Sequence, residues 1–160
     1  MVARTGPRKF GVTLIELMMV ISLIGIMAAV VTPRYSESLK QFQAETAAER
    51  IKVDLNMARR RASITGRSIS VIFDAGTHTY AMPNLASLDT SQLPYKMSLS
   101  ASPFYAILDS VSFPGGTGGD MQVVFDHYGA PDSGGSVAVR CGGTTKTVSL
   151  NATTGEATIP

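Results

Sequence analysis

Apolar residues are spread unevenly along this chain. Residues 12–32 hold 16 apolar side chains in 21, with Glu16 as the only charge. A helix of that length spans about 32 Å at ~1.5 Å per residue, enough for a hydrocarbon core about 30 Å thick. The spacing then changes. Ala44, Ala47/Ala48, Ile51, Leu55, Ala58 and Ala62 recur at steps of three and four, the mark of one helical face. Tyr35, Leu39 and Phe42 are expected to begin that stripe. Pro33 lies between the two patterns; it lacks a backbone donor and kinks a helix without having to end it. Gly66, just beyond Arg59, Arg60 and Arg61, predicts the C-terminal cap. The pattern predicts one helix from Val12 to Thr65, embedded in a membrane over 12–33 and amphipathic over 34–65.

Beyond Gly66 the period shortens to two. Residues 68–74 and 77–82 predict a hairpin about the turn Asp74-Ala75-Gly76-Thr77. Residues 83–95 read as a loop. Further strands are expected at 96–100, 110–113, 121–125, 136–141, 145–150 and 155–159, with a flexible glycine run at 115–119. Twelve of the 15 glycines lie at or after Gly66, which suits a turn-rich β domain over 66–160.

Composition narrows the function. With 44% apolar residues and 16% charged, the chain of 160 residues is not a disordered one. A lone Cys141 excludes an internal disulfide framework and reads as a small strand residue. The basic residues Arg4, Arg8 and Lys9 precede the apolar run, which predicts a cytoplasmic N-terminus and a domain on the far side of the membrane. The run is too long for an ordinary secretory signal, and no small-residue cleavage pattern stands before a mature start. Residues 34–67 carry a net +4 and residues 68–160 a net −4. Arg59, Arg60 and Arg61 are candidates for a weak polyanion contact, but such a run more often forms a solvated face with local ion pairs.

Enzyme signatures are missing. His78 and His127 have no metal-like partner nearby in sequence and read as turn or surface residues. Asp120, Asp126 and Asp132 fit no EF-hand spacing and read as turn acids. The run Gly115 to Gly119 lacks the Lys-Ser/Thr ending of a phosphate loop and reads as a linker. No cofactor or metal is expected. The odd residue is Glu16, because a carboxylate in a membrane helix costs ~2.5–3.5 kcal/mol and is a functional candidate by default.

Arg8-Lys9-Phe10-Gly11 followed by Val12-Thr13-Leu14-Ile15-Glu16-Leu17 resembles the leader of type IV pilins and type II secretion pseudopilins. The resemblance implies that residues 1–11 are a class III leader, cut after Gly11 on the cytoplasmic side by a peptidase that also methylates the new N-terminus, Val12. That family's glutamate is the fifth mature residue, as Glu16 is here, and its helix-kinking proline is the twenty-second, as Pro33 is. Val12 departs from the usual Phe. The implied role of Glu16 is to meet the freed amine of a neighbouring subunit during assembly. Without the leader, the chain has 149 residues and a net charge of −1.

The remainder is similar to the GspH/FimT group of that family. The similarity rests on residues 50–73, with Asp54-Leu55 and Ala58-Arg59, and on Val124-Phe125-Asp126, Gly129-Ala130, Gly135 to Val139, and Gly155. It implies an α+β, pilin-like fold, with the long helix packed against a C-terminal antiparallel β-sandwich. It further implies a minor pseudopilin of the type II secretion pseudopilus, or alternatively a FimT-like minor pilin active in pilus assembly or DNA uptake. The implied partners are the prepilin peptidase/methyltransferase, other pseudopilins or pilins in a filament, the inner-membrane assembly platform and membrane lipid. The implied location is the bacterial inner membrane, single-pass, with the β domain in the periplasm. Some minor pilins of the group bind DNA through a basic motif near the C-terminus. Here that place reads Gly155-Glu156-Ala157-Thr158, without arginine, so nucleic acid is not an expected partner.

Overall fold

The structure is a computed structural model, and it describes residues 11–86 and 94–160. The side chains of 29–34 and 86 lie outside that description, as do the leader residues 1–10 and most of the expected loop at 83–95. The chain divides into two units, 1–37 and 38–160.

Helix α1 runs Leu14–Thr65 and contains Pro33. It starts two residues later than expected because Thr13 is its N-cap. The Thr13 hydroxyl accepts the Glu16 amide at 3.3 Å, which satisfies one of the free donors of the first turn. At the other end the Gly66 amide donates to the Ala62 carbonyl at 2.9 Å, with Gly66 in the left-handed region at φ 64°.

In the first unit every described side chain from Val12 to Ala28 is exposed, so no described residue buries this apolar stretch. Among the described residues no helix is long and apolar enough to cross a membrane, and the expected span 12–33 ends in side chains outside the description.

In the second unit α1 buries the predicted stripe. Ala44, Ala47, Ala48, Ile51, Leu55, Ala58 and Ala62 are all closed to solvent. Alanine has the best helix propensity and lets a helix lie close to a sheet. Tyr35, Leu39 and Phe42 do not extend this stripe; all three are exposed. Gln41 and Lys40, three and four residues before Ala44, are exposed as well, so the buried face of the helix starts only at Ala44. The Lys40 stem instead lies over Gly142, where a Cβ would stand 2.5 Å from its Cδ.

Eight strands follow: β1 Ile69–Asp74, β2 Thr79–Ala86, β3 Pro94–Ser98, β4 Ile107–Ser112, β5 Gln122–Phe125, β6 Gly135–Cys141, β7 Thr144–Leu150 and β8 Ala157–Thr158. They form two antiparallel four-stranded sheets, in the orders β3-β2-β1-β5 and β4-β6-β7-β8. The α+β architecture and the expected hairpin are present, with Asp74 opposite Thr79. Most strand boundaries moved by a residue or more, and the larger shifts are in β2, β3, β4 and β8. β2 extends through Pro83 into the expected loop, and β3 begins at Pro94. β4 begins three residues early, at Ile107, and is bulged between Leu108 and Ser110. β8 shrinks to two residues paired with Ser149 and Leu150. Alternating burial of Ile69, Val71 and Phe73 on β1 faces the core, where Phe73 stacks on Phe113 at 5.7 Å between ring centres. Phe113 follows β4, so this pair joins the two sheets.

Candidate functional site

The N-terminal candidates fall on the uncovered end of α1. Gly11 and Val12 precede the helix and are exposed, and Glu16 lies in its first turn, where a carboxylate is favoured by the helix dipole. The cap residue Thr13 and Glu16 stand in the order Thr-x-x-Glu, a capping-box spacing, and the bond between them uses the Glu16 backbone amide. Pro33 lies within α1, with its side chain outside the described residues. Arg4, Arg8 and Lys9 also lie outside them.

In the domain, the chemistry gathers where α1 meets the sheets. Asp54 is 2% exposed and lies on the alanine stripe, between Ile51 and Ala58. One of its oxygens, Oδ2, accepts the hydroxyls of Tyr80 on β2 and Tyr95 on β3, each at 2.5 Å, and the Arg50 Nε–H at 3.2 Å. Arg50 also donates from Nη2 to the Tyr95 oxygen at 2.6 Å. Burial, and next the Asp54 charge, push the Tyr80 phenol well above its ordinary value. Burial likewise raises Tyr95, together with its bond to Asp54. The bond to Tyr95 holds the Arg50 guanidinium above its ordinary value against the opposing effect of burial. Each of these four bonds has a charged group on at least one side, so the cluster fixes the helix on the first sheet.

Two residues further on, Asn56 treats the end of the chain as a strand would. Its amide donates to the Ala157 carbonyl at 3.1 Å, and its oxygen accepts the Ala157 amide at 3.2 Å. Arg59 then donates from Nη1 to the Thr154 carbonyl at 2.7 Å. The arginine run is therefore divided. Arg59 spends a donor on the fold, whereas Arg60 and Arg61 are exposed and make no ion pair among the described residues.

The other candidates are structural in their contacts. Asp126 Oδ1 accepts the Tyr128 and Ala130 amides at 2.9 and 2.8 Å, and these backbone bonds, Ala130 first, hold its carboxyl below the ordinary value. Asp132 accepts the Thr117 amide and hydroxyl on Oδ2 and the Val124 amide on Oδ1. Burial alone would raise Asp132, but these donors outweigh it and the carboxyl is lowered. The run 115–119 is thus pinned to β5 through Thr117, where the sequence predicted a flexible linker. No group of three metal-ligating side chains gathers among the described residues, and Asp120 joins neither of the two capped turns. His78 takes φ 52° in the β1–β2 turn, and the exposed His127 lies against Tyr128 at 3.9 Å. Cys141 is buried at the end of β6, with Gln43 Oε1 at 3.2 Å and the Tyr105 carbonyl at 3.3 Å both within reach of its single S–H.

Residues 6–32 match the family model described as the prokaryotic N-terminal methylation motif. No curated protein matches the chain. Among solved structures, the type IV minor pilin FimU of Pseudomonas aeruginosa PAO1 is similar at a TM-score of 0.53 and 17% identity, over 73% of this chain and 87% of that one. A second crystal form of FimU gives 0.51, also at 17% identity, over 72% and 91%. The minor pseudopilin EpsH of the Vibrio cholerae type 2 secretion system gives 0.53 at 13% identity, over 74% and 96%. The chain is type IV pilin-like in two respects: it carries the methylation motif, and its fold is the one seen in these minor pilins and pseudopilins.

Proposed function

We propose that this protein is a minor subunit of a pilin-like filament, and that the filament is a type II secretion pseudopilus. One observation carries the reading: the methylation motif over 6–32 includes the start of a helix whose described apolar side chains up to Met27 are exposed, and that helix continues into a pilin-like domain. An exposed apolar surface of this extent calls for lipid or a partner.

In this account the leader is cut after Gly11 by the prepilin peptidase, which also methylates Val12. Residues 12–33 first hold the protein in the inner membrane as a single span, with the domain in the periplasm. They later leave the bilayer and pack among the helices of neighbouring subunits on the assembly platform, with Pro33 admitting a bend. Glu16 pairs with the Val12 amine of a neighbour, which offsets the cost of a carboxylate in hydrocarbon and sets the stagger between subunits. The Asp54 cluster and the Asn56 clasp keep the β domain in a fixed place on its own helix. The role is structural, with no step of covalent catalysis by this chain.

A second reading is a minor pilin of a type IV pilus, favoured by the FimU likeness, which equals the EpsH likeness in TM-score. Deleting the gene separates the two. Loss of secreted substrates with normal surface pili supports the pseudopilus; loss of pili with normal secretion supports the pilus.

A further inference from the structure

Three cavities of the domain, of about 370, 570 and 740 Å³, border the last turns of α1, and arginine side chains line each of them. The first lies between Arg60 and Ile64 on the helix and Tyr128 and Thr154 on the facing turns. Ile64 is 80% exposed and Tyr128 78%, so two large apolar surfaces stand open beside Arg60, which makes no ion pair among the described residues. The walls are held in place. Arg59 is bonded to Thr154, and Asp126 caps the turn that presents Tyr128. Gly129, at φ 82°, approaches so closely that a Cβ there would stand 2.9 Å from the Arg59 carbonyl oxygen. A cleft built this way loses little conformational freedom when it is filled.

We propose that this cleft and the adjoining 570 Å³ cavity, which shares Arg60 and Ile64 with it and adds Arg61, dock an acidic polypeptide segment of another protein, with carboxylates on Arg60 and Arg61 and an apolar side chain between Ile64 and Tyr128. Arginine forks suit carboxylates, and tyrosine and arginine are the residue types that anchor protein interfaces. Among the described residues that line the three cavities, the one acid is Glu156, in the second. Charge favours a polypeptide over a nucleic acid. The arginines end a helical segment of net +4, but residues 68–160 carry −4 and the chain without its leader carries −1. A long phosphate backbone would run from the arginines onto a negative domain, whereas a short acidic segment would not. The inference does not rest on which filament the chain enters.

The full chain in detergent micelles is titrated with a short labelled peptide rich in Glu with one central Phe. Saturable, salt-weakened binding is expected. The dissociation constant should rise by about tenfold or more in the Arg60→Glu/Arg61→Glu variant, in Tyr128→Ala, and when the peptide's Phe is replaced by Ser. Unchanged thermal unfolding of these exposed-site variants shows that they are folded. Absence of saturable binding, or binding that survives the charge reversal, overturns the site. Wild-type affinity in Tyr128→Ala overturns the apolar contact. Tighter binding of oligothymidylate of equal charge overturns the polypeptide assignment in favour of a nucleic-acid surface.

Discussion

The Tyr80 hydroxyl lies 2.5 Å from Asp54 Oδ2, and both side chains are closed to solvent. A strand of the first sheet is thereby bonded to a charge on the buried face of α1. Removing that charge leaves two phenols and a guanidinium to find other partners. Asp54→Ala should destabilise the domain by about 3–5 kcal/mol, the usual cost of breaking a buried charged pair. Tyr95→Phe, which leaves Tyr80 and Arg50 on the carboxylate, should cost about 1–2 kcal/mol. Urea unfolding of the full chain in detergent, followed by circular dichroism, measures both.

The same cluster predicts an alkaline limit. Tyr80 is held above its ordinary value by burial first and the Asp54 charge second. The folded chain therefore keeps a proton that the unfolded chain releases. This contribution to stability is full below about pH 10 and is lost as pH rises further. Tyr80→Phe should start from a lower stability but lose less of it above pH 10. Unfolding midpoints measured on both sides of that value give the comparison.

At acid pH the sign reverses. Asp132 and Asp126 are lowered, so the folded state binds fewer protons than the unfolded state. Their stabilisation is present above the ordinary carboxylate value of about 4 and fades as pH falls below it. Asp132→Ala should flatten that acid limb. It should also speed amide exchange at Thr117 and Val124, which lose their acceptor. Exchange rates unchanged at both amides would show that the carboxylate does not hold the 115–119 run.

Thr13 and Glu16 allow the capping and assembly roles to be separated. Thr13→Val removes the hydroxyl that accepts the Glu16 amide, at a cost of about 1 kcal/mol in local helix stability. Glu16→Ala removes the charge. Filament incorporation, scored by cross-linking to neighbouring subunits, should be near normal in Thr13→Val and strongly reduced in Glu16→Ala and Glu16→Gln. Equal defects in all three would reduce Glu16 to a capping residue.

Periodicity carried much of the fold. The stripe Ala44 to Ala62 could be read because one helical face is buried against sheets, and β1 could be read because it is buried on one side. Leu39 and Phe42 misled because they are apolar but precede Ala44, where that face starts. Strand ends shifted where pairing, not composition, decides: β2 carries Pro83 within a strand, and β8 exists only where Ser149 and Leu150 meet it. Asp54 was visible as an acid at a buried helical position, three after Ile51 and four before Ala58. Its partners were not, because Tyr80 and Tyr95 lie 26 and 41 residues away in sequence. The cleft beside Arg60 was hidden for the same reason, since Tyr128 and Thr154 reach it only through the fold.

The working protein is expected to start at Val12. The full chain is expressed with a prepilin peptidase in a bacterial membrane, purified, and its N-terminus read by intact-mass and peptide mass spectrometry. The account predicts a mature chain of 149 residues beginning at Val12, with its amine methylated. A chain that retains Met1 to Gly11, or one that begins near Pro33, would contradict it.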